Sequence, residues 1–198
     1  MSNDTIKPWK IILASGSPRR QQFLKDMDLS RHFEIEIRLK DIEELYPDNL
    51  QGVEITNYLA ELKASAFDGE VGTNEILITS DTIVWLNSKA LGKPKDYNDA
   101  FAILKLLSNE THEVITSVCF KTIDKTATIF DVTKVTFTTL TDDAIYYYLD
   151  NYKPFDKAGA YGIQEWIGLI GITKIEGSYT NVVGLPTEKV YQCLSNYF

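Results

Sequence analysis

Apolar residues are distributed along the chain in short runs, and each run ends at turn-forming residues. Residues 9–14 are compact and apolar, which predicts a short buried strand. Residues 33–39 alternate apolar with charged side chains, as a half-exposed strand does. Residues 76–86 are rich in β-branched side chains and predict a central strand, interrupted by the polar residues 79–81.

The remaining pattern adds helices and a hairpin. Further strands are expected over 113–122, 127–139 and 169–175, and helices over 18–27, 53–68, 97–107, 141–151 and 186–196. Strands that alternate with helices, together with one hairpin, predict an α/β fold with a mixed sheet. Because there is no internal repeat or Pro- or Ser-rich linker, residues 1–198 are expected to form a single domain, with any division being into lobes.

Composition and charge narrow the class of protein. No apolar run approaches the roughly 20 residues of a membrane helix, and residues 1–10 lack the apolar core of a secretory signal. Cys119 and Cys193 are far apart and in no CxxC pattern, so a disulfide framework and a cysteine zinc site are not expected. These features predict a cytoplasmic protein without a membrane partner. The net charge of -8 argues against a general nucleic-acid binder.

The first candidate for chemistry is the segment of residues 14–20, Ala-Ser-Gly-Ser-Pro-Arg-Arg. Ser17 is a good N-cap and Pro18 suits the first helical position, so the predicted strand leads directly into a helix. Free N–H groups of the helix N-terminus, with Arg19 and Arg20 in its first turn, suit a phosphate. A capped surface helix with solvated arginines fits the same residues. The local residues alone favour neither the phosphate site nor the surface helix. The glycine pattern is neither that of a P-loop nor that of a dinucleotide fold.

The second candidate is Asp81, between Ser80 and Thr82 in the predicted central strand. A carboxylate there is costly unless it is paired, bound to a metal or open to a cleft. The apolar run resumes at Ile83, which favours a functional aspartate over one that closes a turn. Lys93 follows in a turn stiffened by Pro94, although taken alone it is a surface lysine.

Weaker signals lie elsewhere. Glu44 belongs to a charged loop that precedes the helix with Lys63, and such charge runs are usually solvated. The glycines of residues 156–164 indicate a close backbone approach to a ligand or to another strand. His112 is expected to be a hydrogen-bonded structural residue, and the three tyrosines at 146–148 are expected to be helix packing.

Taken together, these segments closely resemble the Maf family of nucleotide pyrophosphatases over residues 10–194. The matching pieces, in order, are residues 14–20, 43–44, 59–60 with 63–64, 80–82, 91–96, 107–108 with His112 and Thr116, 156–164, 176–179 and 182–186. Each piece alone is weak, but the ordered set at compatible spacing is specific.

The resemblance implies an elongated, two-lobed α/β fold with a deep cleft, related to the inosine triphosphatases. It also implies a homodimer, a divalent metal (Mg²⁺ or Mn²⁺), and hydrolysis of a nucleoside triphosphate between its α and β phosphates. By resemblance, Asp81 is the proton acceptor, and Glu44 and Asp81 are associated with the metal. The implied phosphate-binding set is Ser15, Arg19, Arg20, Lys63 and Lys93.

Three positions divide the family by substrate. Arg19, Thr82 and Gln164 match the branch that prefers dTTP and UTP, whereas the branch acting on 7-methyl-GTP has an aromatic residue, Gln and Glu there. The chain departs from the family pattern at residues 79–80, where Gly-Ala is usual, at Leu62, and at residues 165–166 beside Gln164. Because residues 165–166 adjoin the base-reading position, this departure concerns the range of nucleotides that the protein accepts.

Two other functions remain as alternatives. One is a regulatory nucleotide-binding protein that acts in septum formation with weak or no catalysis, and the other is an inosine triphosphatase of related fold. The first is disfavoured because the acid, the cations and the base-reading positions are all present. The second fits residues 15–20 less well.

Overall fold

The structure is a computed structural model that describes residues 9–197, and a mixed sheet of seven strands forms the centre of this part of the chain. The strands are β1 (Trp9–Leu13), β2 (Phe33–Ile37), β3 (Glu75–Leu86), β4 (Lys89–Leu91), β5 (Thr111–Lys121), β6 (Thr126–Phe137) and β7 (Ile172–Glu176). Their order is β2-β1-β3-β5-β6-β7, with β4 paired to β3. β1 pairs in parallel with β2 and β3, and the other pairs are antiparallel, which confirms the α/β fold with a mixed sheet.

Helices accompany the sheet. They are α1 (Pro18–Asp26), α2 (Val53–Ser65), α3 (Tyr97–Leu107), α4 (Asp142–Tyr152), α5 (Trp166–Gly171), α6 (Tyr179–Val183) and α7 (Thr187–Leu194). Short 3-10 helices lie at Leu29–Arg31, Ala158–Ala160 and Ser195–Tyr197. Over residues 9–197, each of these helices falls short of the length and apolarity needed to cross a membrane.

The apolar run of β1 is continuous because helices cover both faces of the sheet there. Ile11 and Leu13 pack with residues of α1 and α7, whereas Ile12 packs with Ala60 and Ala64 of α2. Successive side chains of a strand point to opposite faces, so a strand covered on both sides needs apolar residues at every position.

The central strand β3 changes its partner along one edge. β1 pairs with residues 75–78 of β3, and β4 pairs with residues 84–86. Between these segments, no strand of the described residues 9–197 pairs with residues 79–83 on that edge, while β5 pairs with them on the other edge. A gap of this kind, beside the carboxyl end of a parallel strand, is where open α/β sheets bind ligands.

The glycine-rich segment of residues 156–164 approaches this part of β3 closely. Gly159 has a φ of +70°, and a Cβ atom there would lie 2.6 Å from Cγ2 of Val84. Of the two alternatives that the sequence left open, Gly159 therefore serves contact with a strand. The amide of Gly159 donates to the carbonyl oxygen of Gly92 at 3.0 Å and so fixes the turn that contains Lys93.

The structure corrects one predicted element and adds several short ones. The strand expected over 169–175 covers 172–176, and its first residues belong to α5. The helix needs glycine at residue 168, because the Cβ atom of any other residue would lie 2.0 Å from the carbonyl oxygen of Ile163. The short elements β4 and α6 were not predicted, and the helix expected over 186–196 covers 187–194.

Candidate active site

A cavity of about 690 Å³ lies at the unpaired edge of β3. Its volume is in the range of small-molecule sites. Its walls contain every residue that the sequence analysis selected for a site: Ser15, Arg19, Arg20, Glu44, Lys63, Asp81, Thr82, Lys93 and Gln164. Segments that are far apart in the sequence therefore meet in one space that can hold a nucleotide.

The alternation of β3 distributes its polar residues between two walls of the cavity. Asp81 shares a strand face with Ile83, which packs with Ile55 and Leu59 of α2. Thr82 is on the opposite face, towards Arg20 of α1. The cavity thus includes both faces of the strand at the point where the neighbouring strand is missing.

Asp81 is 7% exposed, and its charge is compensated by Lys63 in the last turn of α2. Lys63 Nζ lies 2.6 Å from Asp81 Oδ1 and 2.9 Å from Glu44 Oε1, so that one ammonium joins two carboxylates. Burial opposes the ionisation of Glu44, but attraction and a hydrogen bond from Lys63 outweigh it and lower the pKa of Glu44. The two carboxylates are therefore brought together by a cation.

Buried hydroxyl groups fix α2, which carries Lys63, against the sheet. Thr79 Oγ1 donates to the carbonyl oxygen of Ala60 at 2.6 Å. Thr56 Oγ1 lies 2.6 Å from Ser117 Oγ, which in turn donates to Asn57 Oδ1 at 2.7 Å. The hydroxyl of Thr79 thus anchors the helix one turn before Lys63.

Arg20 contacts the protein with three of its nitrogens. Nε donates to the carbonyl oxygen of Gly184 at 2.8 Å, Nη1 to that of Ser80 at 3.0 Å, and Nη2 to Thr82 Oγ1 at 2.9 Å. The side chain thus connects α1, the unpaired edge of β3 and the loop after α6. This contact with the strand edge was not foreseen, and the phosphate-binding role of Arg20 stays a prediction.

The N-terminus of α1 opens into the same cavity. Ser17 caps the helix as predicted, by accepting from the amide of Arg20 at 3.5 Å. Ser15 Oγ accepts from the amide of Ser17 at 3.3 Å. Arg19 is one third exposed, and its Nη1 lies 3.7 Å from Asp156 Oδ2. This helix end faces an enclosed space, in contrast to a simple surface helix.

Lys93 and Gln164 present polar groups to the cavity that other residues of the described chain do not use. Both side chains are exposed, and neither forms a hydrogen bond or salt bridge within residues 9–197. Thr82 differs, because its hydroxyl is within 2.9 Å of both Arg20 Nη2 and Thr116 Oγ1. The amide of Gln164 and the ammonium of Lys93 are therefore the groups most available to a ligand.

A residue that the sequence analysis did not select supports the wall beside Gln164 from behind. Tyr148 was interpreted as helix packing together with Tyr146 and Tyr147. The latter two are 46% and 49% exposed, whereas Tyr148 is fully buried and hydrogen-bonds Glu165 and the amide of Gly162. A buried phenol needs a polar partner, but three tyrosines in succession do not reveal which of them faces inwards.

His112 is structural, as predicted. It is buried, and its Nε2 lies 2.7 Å from the hydroxyl oxygen of Tyr161. Burial lowers the pKa of His112 from 6.5 to about 4, so the ring is neutral at pH 7.

Among residues 9–197, no group of three or more His, Cys, Asp or Glu side chains is arranged to hold a metal ion. The pair Glu44 and Asp81 offers two carboxylates around one positive charge. Two carboxylates match the way Mg²⁺ is often bound, with substrate phosphates and water as its other ligands.

Comparison with known proteins agrees with the geometry. The profile of the family described as Maf-like protein matches residues 10–197. A dTTP/UTP pyrophosphatase of Flavobacterium psychrophilum is 71% identical over 188 residues, covering 95% of this chain and 94% of the relative. A dTTP/UTP pyrophosphatase of Flavobacterium johnsoniae is 65% identical over 195 residues, covering 98% of each chain.

Among solved structures, a nucleoside-triphosphatase / dITP/XTP pyrophosphatase of Mycobacterium abscessus has a TM-score of 0.44 at 13% identity, covering 65% of this chain and 74% of its own.

Proposed function

The chain belongs to the Maf-like protein family, and on this premise we propose that it hydrolyses dTTP and UTP to the nucleoside monophosphate and pyrophosphate. The relatives that match nearly its whole length carry that activity in their names. The observation that carries the proposal is the meeting of Asp81 with Arg19, Lys63 and Lys93 around one cavity.

In the proposed reaction, Asp81 is the general base. Its carboxylate accepts a proton from a water molecule whose oxygen attacks the α-phosphorus in line with the bond to the bridging oxygen. That bond breaks, and pyrophosphate leaves with the bridging oxygen. The position of Asp81 supports this role, because the carboxylate is buried at the cavity wall and its charge is compensated by Lys63.

The cations have a second role in the proposal. Negative charge grows on the pyrophosphate as it leaves, and fixed positive groups stabilise that charge best in a site shielded from water. Lys93 is exposed and Arg19 partly exposed at the cavity, and the turn before α1 adds backbone N–H groups at Ser15 and Gly16.

A divalent cation, Mg²⁺ or Mn²⁺, is part of the proposal, with Glu44 and Asp81 as the residues that would hold it. Lys63 Nζ contacts one oxygen of each carboxylate, so a divalent cation held there would share the two carboxylates with that ammonium. When bound, such a cation neutralises phosphate charge and orients the triphosphate. Removal of divalent ions with a chelator should therefore abolish turnover.

The base is read by Gln164 in this proposal. A primary amide has both a donor and an acceptor, which suits the N3–H and O4 edge of uracil and thymine, whereas a carboxylate can only accept. Thr82 contributes indirectly, because its hydroxyl is held by Arg20 and Thr116.

The proposal extends to partners and location. We place the enzyme in the cytoplasm as a homodimer that does not bind nucleic acid. The net charge of -8 supports the absence of nucleic-acid binding. The two free cysteines, of which Cys119 is buried, support the cytoplasmic location. Sedimentation equilibrium tests the dimer directly.

Hydrolysis of a nucleotide panel in ¹⁸O-labelled water tests the reaction. With dTTP or UTP and Mg²⁺ or Mn²⁺, we expect the monophosphate and pyrophosphate, with the label in the monophosphate. Label in the pyrophosphate, or formation of a diphosphate and phosphate, contradicts attack at the α-phosphorus. If no nucleotide is hydrolysed, the result contradicts the proposed enzymatic activity and favours the regulatory alternative.

A further inference from the structure

Gln164 lies in a turn whose two ends are held by one phenol. The amide of Glu165 donates to the carbonyl oxygen of Gly162 at 3.0 Å, which closes a four-residue turn with Gln164 at its third position. The hydroxyl oxygen of Tyr148 accepts from the amide of Gly162 at 2.9 Å. The same hydroxyl donates to Glu165 Oε2, so Tyr148 bridges the first and last residues of the turn.

Tyr148 is suited to fix this turn. It lies on α4 within the apolar core, and its side chain is 0% exposed. Burial and the hydrogen bond to Glu165 raise the pKa of Tyr148. The phenol therefore stays protonated and donates a hydrogen bond to the carboxylate of Glu165. The turn is thereby attached to a rigid helix rather than to solvent.

The side chain of Glu165 contacts Tyr148 and does not cap α5, the helix that Glu165 precedes as its N-cap residue. Oε1 lies 3.1 Å from Lys157 Nζ instead. Gly162 makes room for the carboxylate, because a Cβ atom there would lie 2.8 Å from Glu165 Cδ.

The contacts continue to the opposite wall of the cavity. Lys157 Nζ lies 2.8 Å from Asp156 Oδ1, and Asp156 Oδ2 lies 3.7 Å from Nη1 of Arg19. A continuous set of ion pairs therefore joins Glu165, beside Gln164, to Arg19 on α1. Gln164 and Arg19 are two of the three positions at which the family divides by substrate.

We propose that Tyr148 and Glu165 are positioning residues that set the selectivity for uracil and thymine by fixing the turn that presents Gln164. This inference rests on the proposed function. A primary amide carries a donor and an acceptor, so by rotating it can match cytosine as well as uracil. The contacts of Tyr148 with Gly162 and Glu165, here called the Tyr148 clamp, fix the backbone from which Gln164 projects and so limit the angle and depth at which its amide meets the base.

The test compares UTP with CTP, which differ at the base edge that Gln164 is proposed to read. Tyr148→Phe removes the hydroxyl and keeps the ring, and Glu165→Ala removes its partner. Glu165→Gln keeps an oxygen that can accept from Tyr148. Tyr147→Phe is the matched control, because Tyr147 is on the same helix and 49% exposed.

We expect Tyr148→Phe and Glu165→Ala to reduce the ratio of kcat/KM for UTP over CTP about tenfold, as loss of one specific hydrogen bond does. The change should arise in KM, with kcat for UTP within about threefold of the unmodified protein, because Asp81 and the phosphate-binding groups are not altered. Glu165→Gln should retain most of the ratio, and Tyr147→Phe all of it.

An unchanged ratio in both Tyr148→Phe and Glu165→Ala overturns the proposal. So does an equal loss for UTP and CTP together with a lower melting temperature, since that is the result of a purely structural role. Gln164→Ala tests base reading by Gln164 separately from the positioning by Tyr148 and Glu165. If this variant keeps the UTP preference, or if the unmodified protein has none, base reading by Gln164 fails and the clamp fails with it.

Discussion

Nη1 of Arg20 lies 3.0 Å from the carbonyl oxygen of Ser80 and donates a hydrogen bond to it. This carbonyl belongs to the segment of β3 that has lost β1 as a neighbour and has not yet reached β4. Arg20 thus replaces a missing strand at the residue before Asp81. The guanidinium fixes the edge from which the proposed base projects.

Substitution of the two adjacent arginines should therefore have different effects. Lysine cannot reproduce the three forked contacts of Arg20. We expect Arg20→Lys to lower the free energy of unfolding by about 1–3 kcal/mol and to reduce kcat. Arg19 has a single ion pair at 3.7 Å, so Arg19→Lys should change stability by less than about 0.5 kcal/mol and act mainly on KM.

Urea unfolding and UTP kinetics on both variants provide the measurement. Equal stability of Arg20→Lys and Arg19→Lys contradicts the structural role of Arg20. An effect of Arg20→Lys on KM alone assigns it to phosphate binding instead.

Lys63 compensates two carboxylates, and its removal should leave Asp81 with an unpaired charge. We expect Lys63→Met to lower the free energy of unfolding at pH 7 by about 2 kcal/mol, somewhat less than for a fully buried pair because water in the cavity screens the charge. Addition of Asp81→Asn should restore most of the loss, since the uncompensated charge is then gone. A double variant less stable than Lys63→Met contradicts this coupling.

His112 predicts a dependence of stability on pH. Its folded-state pKa of about 4 is below its ordinary value of 6.5, so between these pH values the unfolded chain binds a proton that the folded chain does not. The contribution of His112 is complete above pH 6.5 and is lost as the pH falls towards 4. By pH 4.5 the loss amounts to about 2–3 kcal/mol.

His112→Gln isolates this contribution from the acidic groups, because glutamine can keep the hydrogen bond to Tyr161 but does not titrate. Urea unfolding at pH 7 and pH 4.5 should show a smaller loss of stability in the variant than in the unmodified protein. Equal losses contradict the account of a neutral buried histidine.

The fold was predictable where local pattern decides the structure. The apolar run of β1, the cap at Ser17 and the polar interruption of β3 depend on neighbouring residues, and each element forms where it was expected. The strand predicted from residue 169 failed because Leu169 and Ile170 are apolar yet 80% and 44% exposed. The backbone at residue 168 approaches Ile163 so closely that only glycine fits, a contact that hydrophobic periodicity does not report.

The candidate site was predictable as a set of residues but not as a network. Motifs at compatible spacing selected residues that line one cavity, and their catalytic and binding roles stay predictions. The contact of Arg20 with Gly184 joins residues 164 positions apart, and that of Tyr148 with Gly162 depends on which of three tyrosines faces the core. Such relationships follow from topology and burial, and therefore from the structure alone.

Asp81→Asn tests whether Asp81 accepts the proton of the attacking water. The measurement is kcat with UTP, combined with calorimetric binding of the α,β-methylene analogue of UTP. We predict a fall in kcat of about 10²–10⁴, with analogue binding and the melting temperature retained. A kcat equal to that of the unmodified protein contradicts the account.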